Sequence, residues 1–80
     1  VRASQTKILT EPLWTDLDRD RQARRLTWAE VAAEVGVAES TLFRIRAGQP
    51  PQAATLLDIA LWLGSFDLTP YVQRVNIERI

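Results

Sequence analysis

Cysteine and histidine are both missing from this sequence of 80 residues. Their absence removes disulfides, thiol nucleophiles, imidazole general bases and every usual zinc site, so stability must come from packing. No apolar run approaches the roughly 18 to 20 residues that span a bilayer, and the N-terminus lacks the basic-then-apolar layout of a signal peptide. The expectation is a soluble cytoplasmic protein with no membrane, cofactor or small-molecule ligand. A surplus of either charge sign is also missing. Ten basic residues balance ten acidic ones for a formal net charge of 0, whereas nucleic-acid-binding domains are more often basic overall. The kind of cation qualifies this: nine of the ten are arginine, whose planar fork suits phosphates and guanine edges as lysine does not.

What is present suffices for one small domain, expected to span residues 1–80. With 46% hydrophobic and 25% charged residues the chain falls in the ordinary globular range. It opens at Val1 rather than at methionine, so a trimmed or excised piece of something longer is one expectation. Residues 1–9 show no clear periodicity, and Arg2 and Lys7 make them a mildly basic arm, expected to be flexible. A first helix is expected from Thr10 as N-cap, with Pro12 in its first turn, or from Thr15, to about Arg24 or Arg25. Asp16, Asp18 and Asp20 precede Arg24 and Arg25, an order that complements the helix dipole.

From Thr27 to Gly48 the sequence reads as two short helices around a tight turn. Trp28, Val31, Ala32 and Val35 recur at i, i+3, i+4 and i+7, which places them on one face. Gly36 breaks the pattern, as a residue free to adopt positive φ does at a helix end. In the second helix Ala38, Leu42 and Ile45 share one side, while Ser40, Phe43, Arg44 and Ala47 look the other way. Two such helices around a glycine turn form a helix-turn-helix. After it, Pro50-Pro51 forbids continuation. A fourth helix is expected from Ala53 to Leu63, apolar around most of its circumference and therefore the least exposed element. Thr69-Pro70 is a good helix start, so a fifth helix is expected to about Val75. Residues 76–80 form a tail; Ile77 and Ile80, with Tyr71, are candidates for a homodimer contact, a final packed turn being the alternative.

The outward face of the second motif helix carries the chemistry. A helix of this kind fits the major groove of B-DNA and presents residues of its N-terminal half to base edges. Here these are Glu39, Ser40, Phe43 and Arg44. Arg44 can bond guanine O6 and N7 together, Glu39 can accept from a cytosine amino group, Phe43 offers a surface to a thymine methyl, and Ser40 serves a base or a phosphate. Phosphate contacts are expected from the free amides near Thr27 and Trp28 at a helix N-terminus, and from Arg46, Gln49 and the Gly48 backbone.

The run LTWAEVAAEVGVAESTLFRIRAG followed by TLLDIALWLG resembles the XRE or phage repressor/Cro-like helix-turn-helix family, and within it small regulators of the actinobacterial type. The resemblance covers about Leu13 to Val72. It implies an all-α, five-helix domain that binds operator DNA, commonly as a dimer on a palindromic site and most simply as a repressor. Base-reading positions of the family fall on Glu39, Ser40, Phe43 and Arg44, and backbone-anchoring ones on Trp28, Arg46 and Gln49. Two departures stand out. Ala38 occupies a position where a capping serine or threonine is common, a loss of about 1 kcal/mol. Where phage repressors often pair an arginine of the first helix with a late glutamate of the recognition helix, this chain has Arg21 and Arg46. Arg46 is then free for a phosphate, and Arg21 is expected to find Glu30 or Glu34.

Two functions compete on this reading. One is a sequence-specific double-stranded DNA-binding regulator. The other is a protein-interaction module on the same scaffold, suggested by zero net charge, Glu39 in the base-facing row, Phe43 and the apolar tail. An enzyme is not expected, since scattered carboxylates without a convergent nucleophile or metal-ligand set offer no reaction.

Overall fold

The structure, a computed structural model, describes residues 2–65 and 67–78. Strand β1 (Arg2–Ile8) leads into α1 (Thr10–Arg24), α2 (Trp28–Val35), α3 (Glu39–Arg46) and α4 (Ala53–Leu63); a single 3-10 turn (Thr69–Tyr71) then opens strand β2 (Val72–Glu78). The described fold is therefore mostly helical, with four α-helices and a small two-stranded sheet, rather than an all-α five-helix bundle.

One core holds the helices together. Leu13 and Leu17 of α1, Val31 and Ala32 of α2, Leu42 and Ile45 of α3, and Leu56 and Ile59 of α4 form a single buried cluster closed by Tyr71. Burial of each large side chain stabilises by roughly 1.5 to 3 kcal/mol. Indole rings and arginines fasten its edges. Trp14 stacks on Trp28 with ring centroids 4.2 Å apart and planes 18° from parallel, joining α1 to α2. Trp62 of α4 donates from Nε1 to Glu34 of α2 at 2.9 Å. The Arg24 guanidinium lies 4.1 Å from the Trp62 ring centre and donates to the Trp62 carbonyl at 3.0 Å.

Helix ends explain where the sequence reading holds and where it shifts. Thr10 is already helical and Leu9 is the N-cap, whose apolar side chain can make no cap bond; the Leu9 amide donates to the Tyr71 carbonyl at 2.7 Å. α1 stops at Arg25, which adopts φ 57, a left-handed conformation normally left to glycine. α2 carries a full capping box, Thr27 with Glu30. Gly36 follows at φ 90, and the Gly36 and Val37 amides both bond Ala32 O. A Cβ on Gly36 would meet nothing within 4 Å, so the backbone angle, not space, requires glycine here.

The expected fifth helix is corrected. Thr69 does not cap a helix; its amide and hydroxyl both donate to Asp67 Oδ1, at 2.9 and 2.6 Å, and only one 3-10 turn forms. Beyond it the sequence RVNIE alternates polar and apolar residues, a strand period, and β-branched residues favour the extended chain. β2 pairs antiparallel with β1, from Ile8↔Val72 to Arg2↔Glu78. The segment read as a flexible arm over residues 1–9 is thus a paired strand through Ile8, and most of the tail over 76–80 belongs to β2.

Tyr71, proposed above for a dimer seam, is corrected as well. It is 4% exposed and its hydroxyl donates to Asp16 Oδ2 at 2.6 Å, so it is spent inside the protomer. Burial pushes the phenol up to about 12, and the Asp16 carboxylate adds to the rise. Ile77 pairs with Ala3 in the ribbon, and Ile80 lies outside the described residues. α4 is not closed all round: Leu56, Ile59 and Ala60 are buried, yet Leu57 and Leu61 stand open at 51% and 64%.

Candidate nucleic-acid interface

α3 is fixed by one face and free on the other. Leu42 and Ile45 sit at 0% and 1% exposure in the core; Glu39, Ser40 and Arg44 are exposed and Phe43 is half-buried. Ser40 and Arg44 stand one turn apart, so they share a stripe. The structure therefore brings together the four residues read as a base-facing row. Ala38, the N-cap, makes no side-chain cap bond and neither Glu39 nor Ser40 supplies one; it is exposed rather than part of the inner face with Leu42 and Ile45.

Ion pairs decide where positive charge is left over. On α1, Arg19 holds Asp16 and Asp20 at 3.0 and 3.3 Å, Arg21 holds Asp18 at 2.8 Å, and Arg24 reaches Asp20 at 3.8 Å. Such surface pairs each contribute about 1 kcal/mol or less, but they neutralise the arginines of α1 locally. Arg44 and Arg46 of α3 have no acidic partner among the described residues. A balanced total thus coexists with an uncompensated cationic helix.

Arg21 differs from expectation. Its Nε and Nη2 both donate to Asp18 Oδ1, at 3.1 and 2.8 Å, and Nη1 donates to the Leu26 carbonyl at 3.1 Å. These hydrogen bonds, with one from Gln22, hold the Asp18 carboxyl below its usual value. Both acids expected for Arg21 are occupied: Glu30 accepts from the Thr27 amide at 2.9 Å, and Glu34 accepts from Trp62. Arg21 instead lies 4.8 Å from the Trp28 ring centre. Trp14 and Arg21 are i and i+7 on α1, so one face of that helix supplies both contacts to Trp28.

The phosphate-contacting set is only partly open. At the α2 N-terminus, Thr27 and Glu30 satisfy each other, and the Glu30 carboxyl is held below its ordinary value, first by the Thr27 amide. The Trp28 and Ala29 amides make no bond among the described residues and remain as donors, although the Trp28 ring itself is committed to Trp14. The Gly48 amide, offered above as a donor, instead bonds Ile45 O at 3.0 Å, and the Gln49 amide bonds Arg44 O at 2.9 Å. Arg46 is exposed, with its guanidinium 5.0 Å from the Phe43 ring centre. That contact gives Phe43 a partner and aligns the cation with the exposed row.

Sequence reasoning missed a polar depression of about 370 Å³ between the end of α3 and the start of α4, where Arg44 and the Gln49 side chain are joined by Thr41, Gln52 and Thr55. The turn at Ala47–Gly48 and the irregular residues 49–52 bring the α4 N-terminus beside α3. Gln52 and Thr55, three residues apart across that start, were the available signal.

A family profile described as helix-turn-helix, HTH_3, matches residues 17–66. No curated protein and no solved structure matches the chain.

Proposed function

Because the chain belongs to the HTH_3 helix-turn-helix family of DNA-binding transcription regulators, we propose that it reads operator DNA by inserting α3 into the major groove and represses by occluding a promoter. One observation carries this reading: α3 is welded to the core by Leu42 and Ile45 while Arg44 in its exposed row and Arg46 at the edge of that row, beside Phe43, meet no acid among the described residues. Arg44 reads guanine, with Glu39, Ser40 and Phe43 discriminating neighbouring positions. Arg46, Gln49, and the open amides of Trp28 and Ala29 hold phosphates on either side. Thr27 contributes through its hydroxyl, and Gly48 contributes by shaping the turn rather than by donating. A palindromic site read by two copies fits an eight-residue recognition helix, which alone covers only a few base pairs.

Selection of bound duplexes from random sequence, followed by titration at several salt concentrations, tests it. Arg44→Ala should relax preference at one base pair and leave nonspecific affinity nearly intact. Arg46→Ala should weaken every sequence alike and reduce the salt slope by about one. No detectable binding at low salt, or no sequence preference after selection, would refute the reading.

A further inference from the structure

Three depressions meet around the turn that follows α3, and each is bordered by one cation. The first, described above, holds Arg44 and reaches Pro50. A second, of about 380 Å³, is lined by Lys7, Glu11, Pro12, Gly48 and Pro50. In a third, of about 300 Å³, Glu11 and Gly48 recur with Trp14 and Arg46. Pro50 joins the first to the second, and Glu11 and Gly48 join the second to the third, so a single furrow bends around residues 48–50. Lys7, on the strand that precedes the helices, thereby comes beside the two arginines of α3.

The ribbon holds Lys7 in that place. The next rung is Ile8↔Val72, and the Leu9 amide one residue further is bonded to the Tyr71 carbonyl at 2.7 Å. Side chains alternate between the two faces of a strand. Thr6 and Ile8 line the apolar cavity against Leu56 and Leu57 of α4, so Lys7 takes the other face, where it is exposed. Residues directly opposed on paired strands share a face; Gln73, the partner of Lys7, is also exposed and stands beside it. The root of the ribbon thus presents an ammonium and an amide. Like Arg44 and Arg46, Lys7 makes no ion pair among the described residues. Glu11, the one acid that lines the furrow, is bonded to neither Lys7 nor Arg46.

We propose that Lys7, with Gln73 beside it, binds a backbone phosphate of the duplex that α3 reads, so that the ribbon root is a second clamp on the DNA. The position lies outside residues 17–66, which the helix-turn-helix profile matches. A compact ammonium on a flexible stem acts on a phosphate as a point charge and lacks the planar fork that reads a guanine edge. B-DNA carries one negative charge for about every 1.7 Å of its axis, so a cation further along the furrow meets phosphates beyond those held by Arg46 and Gln49. Such a contact adds affinity and fixes orientation without adding sequence preference. The clamp rests on the operator binding proposed above, and its test separates the two.

Duplexes selected by the wild-type chain are the probe. Lys7→Gln removes the charge at an exposed position. It should weaken binding to every sequence alike and lower the salt slope by about one, so its deficit against wild type should shrink about three- to fourfold for each fourfold rise in salt. Lys7→Arg should restore the slope, and the thermal melt of Lys7→Gln should match that of wild type. Ethylation interference supplies a readout that a merely structural role would not move: one phosphate whose ethylation weakens the wild-type complex should become indifferent in Lys7→Gln, with the phosphates served by α3 unchanged. A wild-type slope and an identical ethylation pattern in Lys7→Gln overturn the clamp and leave the operator reading standing, with Lys7 serving Glu11 instead of DNA. A loss confined to particular base pairs overturns it too, because Lys7 would then be a base reader. No binding by wild type at low salt overturns both.

Discussion

Alkaline titration of Tyr71 tests how the ribbon is docked to the helices. The phenol is buried against α1 and donates to Asp16 Oδ2 at 2.6 Å, while Arg19 holds the other oxygen of the same carboxylate at 3.0 Å. Ionisation would remove the donor and set a phenolate against a carboxylate. Burial first, and that carboxylate second, push the group from 10.0 up to about 12. At about 1.4 kcal/mol per unit, the difference contributes roughly 2 to 3 kcal/mol of stability. Since the folded value lies above the unfolded one, the contribution is complete below about pH 10 and is lost as the pH rises through about 12. The chain has one tyrosine, so the ultraviolet absorbance of tyrosinate reports this residue alone, and denaturant melts across the same range report the stability. Tyr71→Phe should cost about 1 to 2 kcal/mol at neutral pH, a fall in Tm of about 4 to 8 °C for each kcal/mol, and should remove the tyrosine-dependent part of the alkaline loss. A tyrosinate midpoint at the unperturbed value, or identical alkaline losses in wild type and variant, would refute the coupling.

Two stability predictions accompany those for DNA binding. Arg25→Gly relieves a left-handed backbone at φ 57, where an ordinary side chain costs about 1 to 2 kcal/mol, partly offset by the freer unfolded chain; Tm should rise by a few degrees, and a fall would contradict the strain. Ala38→Ser places an acceptor at an N-cap with extended φ −71 and ψ 146 and should stabilise by about 1 kcal/mol, read as a higher denaturant midpoint with unchanged slope; no gain would mean that the α3 amides are already satisfied.

The helix-turn-helix was legible because its signals are local. Three-to-four spacing in Trp28–Val35, the glycine after it, and the double proline after Gly48 each act within a turn or two of chain. The outward row of α3 followed from the same spacing. The ribbon was not legible. β1 reads Arg-Ala-Ser-Gln-Thr-Lys-Ile, nearly without alternation, and its partner lies at the far end of the sequence, so nothing nearby announces a strand. The fifth helix failed for the opposite reason: Thr69-Pro70 is a sound local start, but Asp67 takes the threonine hydroxyl and the β-branched residues beyond favour the extended chain. Within the site, exposure could be read and partners could not. That Trp28 lies under Trp14 depends on how α1 packs on α2; Arg21 with Asp18 and the Gly48 amide with Ile45 O are local pairs three residues apart, but spacing alone does not rank Asp18 against Glu30 and Glu34. The net charge misled as a sum because the acids of α1 cancel its own arginines and leave those of α3 unbalanced.

Pairing of Ile8 with Val72 also sets an order of events. That rung, with the Leu9 amide on the Tyr71 carbonyl, closes nearly the whole chain into a loop, whereas the contacts joining α2 to α3 close short ones. Closure of a long loop costs more entropy and is recovered only when its ends meet, so the helical body should form first and the ribbon should close outward from Ile8–Val72. On the native side the same asymmetry makes the ribbon the first unit to open.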